Sequence, residues 1–166
     1  MPARKTAGVP WVARHNHSDS GAIGWIRTVS HAMNSDAASG KTIFYIEDDV
    51  VVLTAYRERL KKSGFDVESS VDGLEAMRIL AARVFDLIIL DLALPHFSGA
   101  DILKAIRDNP RLKTIPVVIF SSNMETAQPS VLGLADKLLF KGECTFQNLL
   151  KTIEDLLASS PNCGGA

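Results

Sequence analysis

Three acidic residues stand directly after two apolar runs of the sequence. Glu47 and Asp48 follow the run TIFYI, and Asp91 follows the run LIIL. Carboxylates that come within a few ångströms of one another repel, so at least one must stay protonated unless a cation joins them. A hard divalent ion with oxygen ligands, of which Mg²⁺ fits best, removes that conflict and leaves room for a phosphate group. The acids therefore predict a magnesium site, provided that the fold brings them together.

Two further polar residues follow apolar runs in the same way. Ser121 comes after the run PVVIF, and Lys141 comes after the run KLLF. Asp91 carries the strongest functional signal, because an ionisable group directly after an aliphatic run is costly to bury for packing alone. Taken singly, Lys141 can also be a solvated surface lysine, and Ser121 can simply end a strand. Pro95 and Gly99 are expected to shape the turn beside Asp91.

Apolar runs that suit buried strands alternate with helical apolar periods along the chain. The predicted strands cover residues 42–46, 65–70, 86–90, 116–120 and 137–140. The clearest helical stripe consists of Phe146, Leu149, Leu150, Ile153, Leu156 and Leu157. This alternation predicts an α/β fold, a doubly wound five-stranded parallel sheet with five helices. In such sheets ligands bind beyond the carboxyl ends of the strands, which is where the polar residues stand.

Side chains that can cap helices stand just before the helical periods. Asp49 precedes the period of residues 50–63, and Asp72 and Thr145 precede two later periods. Their oxygens can accept amide hydrogen bonds from a first helical turn. We therefore predict that Asp49 is an N-cap and not a metal ligand.

The ordered segments IFYIEDD, LIILDLALPHFSG, IPVVIFSSN and LLFKG resemble the receiver domain of two-component response regulators. The resemblance covers residues 41–158, and the identity, order and spacing of the motifs agree. It implies a flavodoxin-like (β/α)5 fold. It also implies that Mg²⁺ is bound by Glu47, Asp48, Asp91 and the backbone carbonyl of Ala93, with no other cofactor.

The resemblance also implies the roles of the remaining polar residues. Asp91 would accept a phosphoryl group from a histidine kinase or a phosphotransfer protein. Ser121 and Lys141 would contact the phosphoryl oxygens, as the switch hydroxyl and the cation of the site. Such a domain is a phosphoacceptor in phosphorelay signal transduction and not an enzyme that turns over an external substrate.

Several positions depart from the pattern of that family. The aromatic residue expected three positions before the lysine is Leu138, and the proline expected after the lysine is Gly142. The segment between Ser121 and Lys141 is slightly short, and Pro129 is expected to interrupt its helix. These changes gather on the face that relays the signal. We therefore predict ordinary chemistry with an atypical output surface.

Composition is that of a globular protein with one main domain. The chain has 166 residues, 46% of them hydrophobic, and a formal net charge of −1. We predict a flexible N-terminal extension over residues 1–40, the receiver domain over 41–158 and a disordered tail over 159–166. For the extension, a targeting segment and a natural start at Met33 stay open as alternatives.

Charge, hydropathy and cysteine usage limit the partners and the location. No basic excess indicates nucleic acid, and no apolar run approaches the roughly 18–20 residues of a membrane span. Cys144 and Cys163 have no CxxC spacing, which favours free thiols and a cytoplasmic location. The expected partners are a histidine kinase or phosphotransfer protein and an unknown downstream protein, with a homodimer as a further option.

Three functional classes stay open. The first is a stand-alone receiver without an output domain, acting as a phosphoryl shuttle or as a switch that docks on a partner. The second is a degenerate receiver that binds proteins without phosphorylation, against which the retained Glu47, Asp48, Asp91 and Lys141 argue. The third is a phosphatase like those of the haloacid dehalogenase superfamily, in which Ala93 would stand where those enzymes typically carry a general acid.

Overall fold

The computed structural model describes residues 40–125 and 127–159. Within these ranges strands and helices alternate in the predicted order. The strands are β1 (Thr42–Ile46), β2 (Asp66–Ser70), β3 (Leu87–Leu90), β4 (Val117–Ser121) and β5 (Lys137–Phe140). The helices are α1 (Val50–Lys62), α2 (Gly73–Ala82), α3 (Gly99–Asp108), α4 (Pro129–Leu132) and α5 (Phe146–Ser159). The predicted succession of elements is therefore confirmed, with small differences at the strand ends.

All neighbouring strands pair in parallel, in the spatial order β2-β1-β3-β4-β5. The strand order therefore switches beside β1, which has β2 on one side and β3 on the other. This is the order of flavodoxin-like doubly wound sheets, so the predicted fold class is confirmed. In such folds ligands bind at this switch point, at the carboxyl ends of β1 and β3, where the acidic residues follow their strands.

The sheet separates two apolar layers, and β1 contributes alternate residues to each. Phe44 and Ile46 lie in the layer covered by α2 and α3, while Ile43 and Tyr45 lie in the layer covered by α1 and α5. All four side chains are fully buried. Coverage of both faces explains why the central strands LIIL and VVIF are continuous aliphatic runs without polar alternation.

The predicted N-caps fix where helices begin. Asp49 and Asp72 each accept two amide hydrogen bonds from the first turn of α1 and α2. Thr145 Oγ1 accepts the amide of Asn148 at 3.2 Å and so caps α5. The cap at Asp49 starts α1 immediately after the acidic pair, which keeps that pair in the short β1–α1 turn.

Helix α4 is only four residues long. The expectation that Pro129 interrupts this helix is wrong, because Pro129 instead begins it, at a position where a missing N–H costs nothing. Arg107 of α3 binds the segment after α4. Its guanidinium donates to the carbonyl of Leu134 and to the carboxylate of Asp136, each at 2.8 Å. Contacts with α3 therefore fix the segment between α4 and β5.

The short α4 leaves apolar side chains exposed beside β5. Leu138 and Phe140, which lie on the same face of this strand, keep 43% and 42% of their surface exposed, and Leu134 keeps 37%. We call these three residues the β5 edge patch. They lie next to an edge strand whose partner on one side is β4.

The two predicted terminal segments concern residues outside the described part of the chain, except for Gly40 and Ser159. Ser159 is the last residue of α5, so the helix extends one residue into the predicted tail. None of the helices in the described ranges has both the length and the apolarity that crossing a membrane requires.

Candidate functional site

Asp91 follows β3 at the switch point and has hydrogen-bond donors on both carboxylate oxygens. Ser121 Oγ donates to Oδ1 at 2.6 Å, and the backbone amide of Ala93 donates to the same oxygen at 3.1 Å. The Lys141 ammonium donates to Oδ2. Asp91 is 2% exposed. The structure thus brings together the ends of β3, β4 and β5 at one buried carboxylate.

The loop after Asp91 passes close to it because Gly99 has no side chain. A Cβ on Gly99 would collide with the Asp91 carbonyl oxygen and would lie 2.7 Å from Leu92 Cα. The Gly99 amide donates to the Leu92 carbonyl at 3.2 Å, which closes the turn. Gly99 therefore has the expected structural role. His96, in the same loop, is exposed.

Glu47 is the second buried carboxylate of the site, with 1% of its surface exposed. Its Oε2 lies 2.5 Å from the Lys141 ammonium and accepts a hydrogen bond from the Tyr45 hydroxyl at 2.9 Å. Its Oε1 is equally buried and has no hydrogen-bond partner among the described residues. Lys141 therefore bridges Glu47 and Asp91, while one oxygen of Glu47 is left for another group.

The donor set fits a divalent cation. Glu47, Asp48 and Asp91 each offer a carboxylate oxygen, and these oxygens lie within 4.8 Å of one another. Asp48 is exposed, so an ion can exchange with solvent, and the orphaned Glu47 Oε1 is a hard ligand without a partner. Oxygen-only ligands of this kind suit Mg²⁺. Ala93 adjoins the group through its amide, and the ligand role of its carbonyl stays a prediction.

Asp91 stays ionised despite its burial. Burial works to raise its pKa, but the Lys141 ammonium, the Ser121 hydroxyl and the Ala93 amide outweigh that effect and hold the pKa below its ordinary value. An ionised carboxylate can act as a nucleophile, whereas a carboxylic acid cannot. The contacts that surround Asp91 therefore keep it ionised.

The pKa values of the neighbouring groups are shifted in directions that match their surroundings. Burial raises the pKa of Glu47, and the ammonium of Lys141 offsets this only in part. Burial tends to lower the pKa of Lys141, but its contacts with Asp91 and Glu47 prevail and raise it. Burial, followed by the charge of Glu47, raises the pKa of Tyr45, so its hydroxyl remains a hydrogen-bond donor. The Lys141 ammonium thus lies between the carboxylates of Glu47 and Asp91, and the Tyr45 hydroxyl is a second donor to Glu47.

Tyr45 is the residue of this site that sequence reasoning missed. It is an aromatic residue with a hydroxyl inside the otherwise apolar run TIFYI, two positions before Glu47. Residues two apart on a strand face the same side, so a polar group at position 45 can meet the first acid after the strand. That spacing is the signal that could have revealed it.

The fold and the site together define a doubly wound domain with a buried acidic centre at its switch point. Residues 43–154 match the family described as the response regulator receiver domain. The chain belongs to this family, which confirms the resemblance seen in the sequence and makes it a receiver domain of two-component signalling.

The protein is similar to known members of this family. It is 31% identical over 78 residues to the polar-differentiation response regulator DivK of Brucella anthropi, a match that covers 47% of this chain and 63% of DivK. The chain thus spans less than two thirds of the length of that curated relative.

Solved structures show the same fold. A signal receiver domain of a histidine kinase from Syntrophus aciditrophicus superposes with a TM-score of 0.65 at 24% identity, over 76% of this chain and 96% of that one. The receiver domain of a sensor histidine kinase from Pseudomonas aeruginosa, determined with magnesium in its active site cleft, gives a TM-score of 0.65 at 23% identity, over 73% and 100%.

Proposed function

We propose that this protein is a phosphoacceptor switch that takes a phosphoryl group on Asp91 from a histidine kinase or a phosphotransfer protein. It then relays that group or changes its binding to a downstream protein. One observation carries the proposal: a buried Asp91 carboxylate is kept ionised by the Lys141 ammonium and the Ser121 hydroxyl, beside two further acids. The family of the chain supports it.

Mg²⁺ is part of the proposal. Glu47, Asp48, Asp91 and the carbonyl of Ala93 would hold it, and the unpartnered Oε1 of Glu47 supports this assignment. When bound, the ion neutralises charge where the anionic carboxylate and an anionic phosphoryl donor meet. The Pseudomonas receiver domain with magnesium in its cleft shows that the same fold can hold the ion in that protein.

The transfer uses the two oxygens of Asp91 and the groups that contact them. An oxygen lone pair of Asp91 forms a bond to phosphorus while the bond from phosphorus to the donor histidine nitrogen breaks, and the imidazole leaves with that electron pair. Lys141 shifts its ammonium from the carboxylates toward the phosphoryl oxygens as their charge develops. The Ser121 hydroxyl, released from Asp91, donates to one of those oxygens.

The movement of Ser121 links the chemistry to the surface. Ser121 is the last residue of β4, and its Oγ also lies 3.2 Å from the carbonyl of Asn123 in the following loop. A new hydrogen bond to the phosphoryl group therefore draws this loop toward the site. The output is a shift between two packings of the β4–α4 segment, biased by one charged group.

We also propose that the protein does not turn over an external substrate and that it lies in the cytoplasm. Ala93, two residues after the acceptor, contacts Asp91 only through its amide in the described structure, and its side chain cannot move a proton. The cytoplasmic location is supported by the free thiol of Cys144, since reducing compartments keep such groups unpaired.

The proposal is tested by incubating the full chain with Mg²⁺ and acetyl phosphate and measuring its intact mass. We expect the mass to rise by one phosphoryl group, and we expect EDTA or Asp91→Asn to abolish the rise. Asp108→Asn, which changes an exposed acid at the end of α3, is the matched control and should leave the rise intact. A wild-type protein that gains no phosphoryl group, or an Asp91→Asn protein that still gains one, would overturn the proposal.

A further inference from the structure

Only one of the two carboxylate oxygens of Glu47 has hydrogen-bond partners among the described residues. Tyr45 and Lys141 both contact Oε2, at 2.9 and 2.5 Å. Oε1 has no hydrogen-bond partner within the described residues, although the side chain is 1% exposed. A buried carboxylate oxygen without a partner is unfavourable, so a cation bound at Oε1 would stabilise the site. The two contacts on Oε2 decide which oxygen is left for that cation.

The two groups on Oε2 differ in how firmly they are held. Lys141 has a long flexible side chain, and its ammonium is shared with Asp91. Tyr45 has a rigid ring that is fully buried in the apolar layer beneath α1 and α5, so its hydroxyl has a fixed position. When Lys141 moves toward a phosphoryl group, Tyr45 is the contact that stays with Glu47.

We propose that Tyr45 is a positioning residue for the metal site: its hydroxyl holds Glu47 Oε2 so that Oε1 is presented to Mg²⁺. This inference rests on the proposed function, because it assigns a role in the same site. Metal-ligating carboxylates are often held by a further hydrogen bond, and loss of such a partner typically weakens metal binding. Tyr45 supplies this hydrogen bond from within the core strand β1.

A purely structural role makes a different prediction. If Tyr45 only filled the core, Phe would fill the same volume and metal binding would not change. Tyr56 offers a matched comparison, since its ring packs in the same layer against Phe120 and Phe146, with centroid distances of 5.0 and 6.2 Å. Removing its hydroxyl changes the same chemical group in the same core.

The test compares wild type, Tyr45→Phe and Tyr56→Phe in full-length protein by calorimetric titration with Mg²⁺. We expect the Kd for Mg²⁺ to rise roughly 10-fold or more in Tyr45→Phe, the lower end of such effects. We expect Tyr56→Phe to bind as wild type does. Equal Kd values for Tyr45→Phe and wild type would overturn the inference, and so would an equal weakening in Tyr56→Phe.

A second measurement does not depend on the folding of Tyr45→Phe. The chain contains two tyrosines, so protein grown with 3-fluorotyrosine gives two ¹⁹F resonances, which Tyr56→Phe assigns. We expect Mg²⁺ to shift the Tyr45 resonance more than the Tyr56 resonance, along the same binding curve as the calorimetry. A Tyr45 resonance that does not move as Mg²⁺ saturates the protein would overturn the inference.

The two proposals fail in distinguishable ways. If wild type neither binds Mg²⁺ nor takes up phosphoryl groups, the proposed function fails. If wild type does both and Tyr45→Phe binds Mg²⁺ with the same Kd, only the role of Tyr45 fails.

Discussion

The acidic centre and the β5 edge patch lie at opposite extremes of packing within one small domain. In the centre, Asp91 and Glu47 are 2% and 1% exposed, and the Lys141 ammonium joins them. In the patch, Leu138 and Phe140 are 43% and 42% exposed, beside a helix of four residues. The charged side chains are therefore the buried ones, and the large apolar side chains beside them face solvent.

The difference lies where the sequence predicts ordinary chemistry with an atypical output surface. The register of β4 and β5 pairs Ser121 with Phe140 and Ile119 with Leu138. An exposed aromatic residue thus stands opposite the proposed switch hydroxyl, two positions after the place where the family usually has one. Aromatic character is retained on this face of the strand, but closer to the site.

Gly142 belongs to the same change. A Cβ at this position would lie 2.8 Å from Phe140 Cε1, so the ring of Phe140 occupies the space that a side chain would need. A proline here, as the family usually has, would force the ring away. Phe140 and Gly142 are therefore coupled by packing.

The largest expected effect comes from removing the cation of the centre. Lys141→Met leaves two buried carboxylates without their shared ammonium, and breaking such a buried pair typically costs about 3–5 kcal/mol. We expect the free energy of unfolding in urea, measured without divalent ions, to fall by about this amount. Added Mg²⁺ should recover part of the loss, because a cation again joins the acids.

The matched control for that prediction is Lys137→Met at the start of β5. Lys137 is exposed, and surface substitutions of this kind usually change stability by no more than about 0.5 kcal/mol. If Lys141→Met were as stable as Lys137→Met in EDTA, the ammonium would not be holding the acids together.

A smaller loss is expected when a methyl group enters the turn beside Asp91. Gly99→Ala places a Cβ against the backbone of Asp91 and Leu92, and overpacking of this kind typically costs about 1–3 kcal/mol. Phosphoryl uptake from acetyl phosphate should slow as well, since the backbone of the acceptor has to move. Both effects are measured, by urea unfolding and by intact mass over time.

Gly133→Ala in the α4 segment provides the comparison with the other region. There a Cβ would meet atoms no closer than 3.5 Å, which is ordinary contact, so we expect little change in stability and normal phosphoryl uptake. Equal effects of the two alanines would mean that the centre is no more tightly packed than the edge.

The pH dependence of stability should also differ between wild type and Asp91→Asn. The pKa of Asp91 is held below its ordinary value of 3.8, so this group contributes stability at and above that pH and loses it as pH falls through the folded-state pKa. In metal-free protein, the unfolding free energy of wild type relative to Asp91→Asn should therefore decrease below about pH 4. Urea unfolding at a series of pH values measures this, and a difference that grows on acidification would contradict the assignment.

The smallest effect is expected at the patch itself. Leu138→Ala should lower the unfolding free energy by no more than about 1 kcal/mol and leave phosphoryl uptake unchanged, because the side chain is already exposed. Its register partner Ile119 is fully buried, and Ile119→Ala should cost about 2–5 kcal/mol. Similar losses at the two positions in urea unfolding would show that Leu138 is covered in solution.

Much of the fold could be predicted because its central strands β1, β3 and β4 are covered on both faces. Such strands must be continuous aliphatic runs, and the polar residue that ends each run marks the carboxyl edge of the sheet. Asp49 and Asp72 were equally predictable, since an N-cap depends on contacts within a few residues.

The features that could not be predicted depend on contacts between residues that are far apart in the sequence. The path of the segment between α4 and β5 depends on Arg107, which reaches this segment from another helix. The spacing of Tyr45 and Glu47 indicates that the two side chains can meet. That Lys141, which follows β5, reaches the same carboxylate oxygen depends on the folded chain, and no local pattern in the sequence carries that information.

The ion pair between Arg107 and Asp136 also restrains β5. Asp136 immediately precedes this strand, and its carboxylate also accepts the amide of Val117 at the start of β4 at 2.7 Å. The start of β5 is thereby fixed to α3 and to β4, while its other end leads into Lys141. If Lys141 moves when Asp91 is phosphorylated, we expect its neighbour Phe140 to move more than Lys137 at the fixed start of the strand.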